Sequence, residues 1–393
     1  MENLKNTTSK KIDLQIISYV CFSFIGYSLI GLPLAILPIY ITKTLGYSEL
    51  VAGIVISLQY ITTFLMRGYA GKIVDDKGPK PAVLMSMFFF MLCGLLFYFS
   101  HFFQTNKLLS LSILIVSRLV TGCGEGMVGA SPINWAILKL GKEHTAKAIS
   151  FNGVASYGGL ALGAPLGVFI NQSFGLEAIG ILTFIFATLA YLFAKKKENI
   201  ISNAAKVEQS FLKVLKIVAP LGICLMLAGL GFGGISNFIT LYYEYFHWQN
   251  AALCLTVFSA LFIIGRLIFN NAINVYGGVK VGIVCMIFET IGLFILFLAT
   301  TPFVALIGAG ITGIGFSLIF PALGVKAVSL VSDSNKGAAL AGYGLFIDIS
   351  LGITGPMVGG VISLFGMHSL FLFCSFMVFV GLLLCIYLYK KYQ

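Results

Sequence analysis

Four ionisable side chains of this chain lie well inside long apolar runs: Arg118, Glu125, Glu289 and Asp348. A lone charge in a bilayer costs at least ~2.5 kcal/mol, so such residues persist where they carry solute, ions or protons. Arg118, Gly122 and Glu125 are spaced i, i+4, i+7 and share one helix face, which the glycine leaves open. A carboxylate in a shared polar recess can be neutral in one state and charged in another, as proton coupling requires. Asp348, Glu125 and Glu289 are therefore the proton-coupling candidates. Arg118 reads either as a substrate anchor or as a structural counter-ion bonding backbone carbonyls. For Glu289 a structural hydrogen bond or ion pair competes with a role in transport.

Around these charges the polar and aromatic residues Tyr27, Gln59, Asn152, Tyr157, Asn237, Thr240, Phe316 and Phe320 are candidates to line a substrate cavity with Arg118 and Glu125. With 35 Phe in the chain, a phenylalanine is a weaker marker than an amide, which must find partners in lipid. The chain shows no nucleophile and base constellation and no P-loop. Its four histidines are scattered at the ends of apolar runs, and its eight cysteines lie inside them without CxxC spacing. No enzymatic activity, cofactor or metal is expected.

The elements that must position these residues follow from composition. The chain is 59% hydrophobic and 10% charged, with a mean hydropathy of +0.99, against roughly a quarter charged in an ordinary soluble domain. The apolar runs are long enough to cross a hydrocarbon core of roughly 30 Å as helices, and they do not alternate as barrel strands would. The fold class is therefore an all-α membrane protein. The runs give twelve transmembrane helices near 14–41, 48–71, 81–101, 108–138, 146–170, 177–194, 213–243, 250–271, 279–300, 303–330, 337–363 and 368–389. The first is too long, and too rich in proline at Pro33 and Pro38, for a cleaved signal peptide.

Lysines gather in alternate connections: Lys72, Lys77 and Lys80, then Lys139, Lys142 and Lys147, then Lys195, Lys196, Lys197 and Lys206. The opposite connections hold only Lys43 and Lys107. By the positive-inside rule both termini and the 195–212 linker are cytoplasmic, so the +11 formal charge is a topology signal and not a nucleic-acid footprint. The linker divides the chain into six-helix bundles at 1–194 and 213–393. Residues 199 apart retain traces of a repeat, with Arg67 and Gly78 recurring as Arg266 and Gly277. Parallel repeats of this kind place a substrate site near the midplane at their interface, which predicts a transporter.

Two further motifs concern movement. In the 71–80 segment Gly71 and Gly78 permit a tight helix junction, Asp75 can cap or pair, and Lys77 and Lys80 can bridge to neighbouring helix ends. With Arg67 and Arg266 these residues form a candidate cytoplasmic gate. In the fifth span Gly159, Gly163 and Gly167 make a small-residue stripe beside Pro165, and Gly355 and Pro356 echo it in the eleventh. Packing alone accounts for the glycines, and a role in rocking or proton sealing is the sharper reading.

These motifs carry a family resemblance. Gly71-Lys-Ile-Val-Asp75-Asp-Lys77-Gly78-Pro-Lys80 resembles the G-x-x-x-D-[RK]-x-G-[RK]-[RK] loop of the major facilitator superfamily, with its basic residue displaced by one position. Arg118-Leu-Val-Thr-Gly122-Cys-Gly124 is similar to that family's R-x-x-x-G-x-G motif. Gly159-x-x-x-Gly163-Ala-Pro165-Leu-Gly167 resembles the motif of its drug:proton antiporter branch, with Ala164 inserted before the proline. Stretches such as Phe151-Asn152-Gly153 resemble the YhhS/YfcJ-type subgroup of bacterial inner-membrane carriers, where Glu125 stands in place of a glutamine. The resemblance implies two pseudo-symmetric six-helix bundles and alternating access driven by an ion gradient.

The expected function is a proton-coupled exporter of small amphiphilic or cationic molecules, a monomer in the bacterial inner membrane whose partners are its solute, protons and the bilayer. The alternative is a carrier of an organic anion, such as a sugar, organic acid or carboxylate metallophore, anchored by Arg118. A sensor or scaffold that moves no solute is a third.

Overall fold

A computed structural model describes residues 2–141, 144–201, 211–269, 271–332 and 335–392. Lys142, Lys206 and the 202–210 part of the linker lie outside these. The described residues are helical almost throughout. The helices are α1 (Glu2–Leu34), α2 (Leu37–Ile39), α3 (Glu49–Lys77), α4 (Pro79–Phe102), α5 (Lys107–Val128), α6 (Ser131–Leu140), α7 (Thr145–Lys196) and α8 (Phe211–Tyr245). They continue as α9 (Ala251–Ile268), α10 (Ala272–Tyr276), α11 (Gly278–Phe297), α12 (Pro302–Ser317), α13 (Ile319–Ser329), α14 (Lys336–Phe365) and α15 (Ser369–Tyr392). A π-helical turn, Tyr40–Thr44, follows α2.

Eleven helical segments among the described residues are long and apolar enough to cross a membrane. Eleven rather than twelve results from α7, which runs through two expected spans. At Gly175 its backbone leaves the helical region, at φ 79° and ψ 177°, and divides it into 145–174 and 176–196. Each piece exceeds the ~20 residues a crossing needs. Side chains such as Phe64, Phe169, Phe186, Phe288 and Phe376 are exposed while Ser23, Thr63, Arg118, Glu125 and Glu289 are buried, the inverse of a soluble protein. The chain is a multi-pass membrane protein.

The traces of a repeat seen in the sequence have a backbone counterpart. Gly78 ends α3 with φ 84° and ψ 170°, and Gly277, 199 residues on, starts α11 with φ 86° and ψ 145°. An L side chain rarely adopts such a conformation, so glycine is required at both junctions. Gly78 alone interrupts the helix here, because α3 carries Gly71, Asp75 and Lys77 inside it.

Two compact units result, one from residues 1–33 and 61–204, the other from 34–60 and 205–393. In the first, Gly159, Gly163 and Gly167 of α7 lie against the backbone of α1. A Cβ added at Gly163 would stand 2.6 Å from the Ser28 carbonyl oxygen, and one at Gly167 would overlap that of Leu32. In the second, the 34–60 segment packs on α8 and α14. The α1–α2 break frees the Ala35 carbonyl, which accepts a hydrogen bond from Thr240 Oγ1 at 2.5 Å. Gly53 of α3 meets Gly355 of α14 so closely that a Cβ on either would overlap the carbonyl oxygen of the other.

Candidate functional site

Glu125 stands on α5 between Gly124 and Gly126, and those glycines decide what reaches it. A Cβ at Gly126 would lie 2.7 Å from the Thr63 carbonyl oxygen and 2.8 Å from Met66 Cβ, while one at Gly124 would press on the Phe90 ring at 3.1 Å. With no side chains there, α3 and α4 approach α5 directly. Thr63 Oγ1 donates to Glu125 Oε2 at 2.9 Å. Glu125 is 3% exposed and Arg118, two turns away, 0%. Around them Thr62 Oγ1 donates to the Leu119 carbonyl at 2.8 Å and Ser86 Oγ to that of Gly124 at 2.7 Å. Cys93 Sγ and Thr121 Oγ1 lie within hydrogen-bond distance.

One turn beyond Glu125 the span breaks. Val128 ends α5, Gly129 and Ala130 form a turn, and α6 begins at Ser131 with Pro132 in its first turn. Pro132 has no backbone N–H to donate to the carbonyl four residues earlier, so the helical hydrogen-bond ladder is interrupted at this junction. Tyr27 Oη and Arg67 Cζ converge on Gly129, 3.5 and 3.7 Å from where a Cβ would sit. Arg67, allotted to a gate by its nearness in sequence to the 71–80 segment, thus stands beside Tyr27 and one turn from the Thr63–Glu125 pair. Asn152 Oδ1 accepts from Ser23 Oγ at 2.6 Å, linking α7 to α1, with Tyr157 half-buried further along α7.

The second unit holds the other candidates. Asp348 of α14 is 5% exposed, and its neighbours Ile347 and Ser350 close over Gly229 of α8. Ser350 Oγ donates to the Met226 carbonyl at 2.6 Å. Glu289 of α11 is fully buried, its Oε1 2.7 Å from where a Cβ on Gly231 would lie, beside Leu293 and Val378. Among the described residues neither Glu289 oxygen has a hydrogen-bond partner. Asn237 Nδ2 donates to the Gly233 carbonyl at 2.9 Å within α8, and Gln59 is fully buried. Phe316 is 2% exposed, stacked on Phe232 at 4.9 Å, and Phe320 lies 5.2 Å from Tyr343. Arg266 is buried in the last turn of α9. The structure brings Glu125, Arg67 and Tyr27 into one neighbourhood, whereas Phe316 and Thr240 are held by packing and by the α1 break.

The gate residues divide likewise. Gly71, Asp75 and Lys77 are exposed on α3, whereas Gly78 is buried against residues 199–200. Lys80 Nζ donates to the carbonyls of Lys195 at 2.8 Å and Lys197 at 2.6 Å, which end α7. Cations belong at a helix C-terminus, where carbonyls lack partners. Asn199 spans the Gly78 junction, its Nδ2 donating to the Lys77 carbonyl at 2.6 Å and its Oδ1 accepting from Lys80 N at 3.3 Å. Trp135 Nε1 donates to the Glu198 carbonyl at 3.0 Å, and Lys197 donates to Ser18 Oγ at 3.0 Å while lying 4.0 Å over the Tyr19 ring. Burial there lowers the Lys197 ammonium below its usual pKa. Asn199→Ala is expected to cost about 0.5–1.5 kcal/mol, two hydrogen bonds to backbone being lost at an exposed junction. A melting curve of the purified protein checks this, and Asn199→Asp should recover only the Lys80 half.

Sequence reasoning passed over Thr63, Gly129 and Asn199. The Gly129-Ala-Ser-Pro132 run carried a break signal that apolar length obscured; a threonine in an apolar run carries none. Among the described residues no three His, Cys, Asp or Glu side chains converge to hold a metal ion.

Comparison with known proteins places these features. The family model of the Major Facilitator Superfamily matches residues 17–254 and 221–392. An uncharacterized MFS-type transporter of Pseudomonas aeruginosa strain UCBPP-PA14 is 48% identical over 388 residues, 98% of this chain and 96% of that protein. One from Burkholderia mallei strain SAVP1 is 46% identical over 381 residues, 96% and 93% of the two chains. The crystal structure of a mutant nucleoside transporter, NupG, aligns at TM-score 0.74 with 14% identity, covering 95% of this chain and 99% of that one. The human organic anion transporter MFSD10 (TETRAN) aligns at 0.69 with 16% identity, covering 94% and 99%. At these identities the two solved structures speak to fold alone.

Proposed function

The chain belongs to the major facilitator superfamily, and from that membership we propose that it is a proton-coupled exporter of small amphiphilic or cationic solutes, working by alternating access. The observation that carries this reading is Glu125, a carboxylate 3% exposed inside a membrane span with a threonine hydroxyl as donor. Such a group can exchange a proton for a solute, and Asp348, buried at mid-span in the second unit, is a second. Buried carboxylates at Glu125, Glu289 and Asp348 favour a solute that is cationic or neutral. The chain sits in the bacterial inner membrane with both termini cytoplasmic and a bundle division at 1–194 and 213–393, and no enzymatic step enters this scheme. Its place in the drug:proton antiporter branch rests on the Gly159-to-Gly167 motif.

The test is flux in proteoliposomes under an imposed pH gradient. Solute uptake driven by the pH gradient is expected in the wild type, with Asp348→Asn combined with Glu125→Gln reducing that flux at least ~100-fold, the scale of removing a group required for proton transfer. Flux indifferent to the gradient, or unaltered in the double variant, overturns the proposal. An organic-anion carrier anchored by Arg118 is the rival, favoured by that guanidinium's full burial. Arg118→Lys separates the two, because a point charge cannot replace a bidentate fork and anion transport would be lost.

A further inference from the structure

We infer that the thiols of Cys224 and Cys385 form a two-coordinate site in the second unit for a soft monovalent metal ion of the Cu(I) kind, with the Met286 thioether beside them. The inference is independent of the transport reading and uses side chains which that reading leaves idle.

In sequence the cysteines are scattered through apolar runs, and in the fold most of them pair with backbone or a hydroxyl. Cys21 donates to the Ser18 carbonyl at 3.3 Å, Cys254 to that of Ala305 at 3.8 Å and Cys374 to that of Leu230 at 3.7 Å. Cys93 pairs with Thr121 Oγ1 at 2.9 Å, and Cys285 with the backbone of Leu318. Cys224 of α8 and Cys385 of α15 differ, because their thiols hydrogen-bond each other. Both are fully buried. Sulfur is a weak donor and a weak acceptor, so the S–H···S contact is a poor hydrogen bond that sets two soft donor atoms side by side.

The packing around the pair brings a third sulfur. Gly381 stands one turn before Cys385 on α15, and a Cβ there would lie 2.7 Å from Met286 Cε, 2.9 Å from Leu227 Cβ and 3.6 Å from the Cys224 carbonyl oxygen. Glycine therefore lets α8 and the Met286 side chain of α11 close on α15 at this level. Gly282, one turn from Met286 on α11, has its missing Cβ 3.8 Å from Cys385 Sγ. Met286 is fully buried as well. Three helices of one unit thus converge on two thiols and a thioether, a donor set that selects soft ions such as Cu(I). An ion that demands four ligands, as zinc does, is not served, since no three His, Cys, Asp or Glu side chains converge among the described residues.

Charge decides how the ion is held, because an uncompensated charge inside a membrane span is costly. Cu⁺ displaces the proton of one thiol, which leaves to water, and binds a sulfur lone pair of the other thiol, whose proton stays. Thiolate and cation cancel, the complex is neutral, and no electron is transferred. Cys385 lies seven residues before the end of α15 at Tyr392, about 10 Å at 1.5 Å per residue. The site is therefore near one membrane surface, where Lys280 Nζ lies 5.7 Å over the Tyr389 ring.

The experiment offers Cu(I), without oxygen, as its coloured bicinchoninate complex to the purified full chain in detergent. Denatured samples are first assayed for eight free thiols, so that an oxidised pair is not mistaken for a missing site. The wild type is expected to withdraw a single Cu(I) per chain and to melt at a higher temperature with it, since an ion that binds the folded state alone stabilises it. Cys224→Ala and Cys385→Ala should each weaken binding at least ~100-fold, more than removal of an outer-shell partner does. Cys224→Ser and Cys385→Ser, close in shape but with a hard oxygen for sulfur, should bind as poorly, and they keep the test if the alanine variants do not fold. Met286→Leu, which conserves volume, should weaken binding about tenfold. Cys254→Ala and Cys374→Ala, which remove thiols bonded to carbonyls, should leave binding unaltered. A wild type that withdraws no Cu(I), or binding that falls equally in the pair and control variants, overturns the inference. Wild-type binding in Met286→Leu would overturn the part given to the thioether.

Discussion

Gly167→Val should leave little folded protein. Gly159, Gly163 and Gly167 recur every four residues on α7 and oppose the carbonyls of Phe24, Ser28 and Leu32, which recur every four residues on α1, so the two helices are in register along two turns. A valine at residue 167 places three carbons in space held by a carbonyl of a rigid helix. Backbone cannot swing aside as a long side chain can, and overpacking of this kind costs about 3 kcal/mol or more. Within a bilayer that loss is serious, because helix association rests on close packing and not on water exclusion. The expected readout is a collapse of the monodisperse peak in detergent chromatography, or a melting temperature lowered by several degrees. Gly68→Ala and Gly158→Ala are the controls, since a Cβ at either meets nothing within 4 Å. Their melting temperatures should match the wild type, and a Gly167→Val protein as stable as these controls would refute the packing account.

Gly355→Val should act differently, displacing one segment without dissolving the fold. Gly53 and Gly355 share a backbone contact, Gly352 adjoins Tyr60, and Gly359 adjoins Glu49 and Leu50, so α14 offers a glycine face along the first three turns of α3. Overpacking by about 1–3 kcal/mol shifts a two-state equilibrium roughly 5- to 150-fold. The arrangement with 34–60 held on α14 should lose population by that factor. A cysteine at Ser57, a residue now 8% exposed against this face, reports it. Labelling of Ser57→Cys by a maleimide is expected to accelerate at least about fivefold when Gly355→Val is added. Equal labelling rates with and without the valine would show that the glycine contact does not hold the segment.

The fold was legible to the extent that it depends on local composition. Twenty-residue apolar runs demand helices in lipid, and Gly78 announced its junction because its neighbours are lysine and proline. The glycine stripe of α7 was readable as packing for the same reason, since a four-residue period is a property of one helix. What escaped depends on pairs distant in the chain. Nothing in an apolar run distinguishes Thr63 from a threonine that bonds its own helix, as Thr188 does. Its role exists only because Gly124 and Gly126 let two other helices close in. Arg67 was drawn into the gate by four residues of sequence, yet its guanidinium points along α3 toward a break in another span. Asn199 sat in a polar stretch that composition describes as linker, while its side chain fastens the Gly78 junction.

The assignment of 34–60 to the second unit bears on how the chain is made. This segment is synthesised among the first spans, but Gly355, its counterpart on α14, follows about 300 residues later, some 15–60 s at ordinary translation rates of ~5–20 residues per second. Until then Gly53 faces lipid or a temporary neighbour, and the Ala35 carbonyl at the α1 break waits for Thr240. The nascent protein therefore carries an unfinished edge in its first helices for most of its time on the ribosome. A ribosome stalled before residue 355 would hold the chain with this edge uncovered.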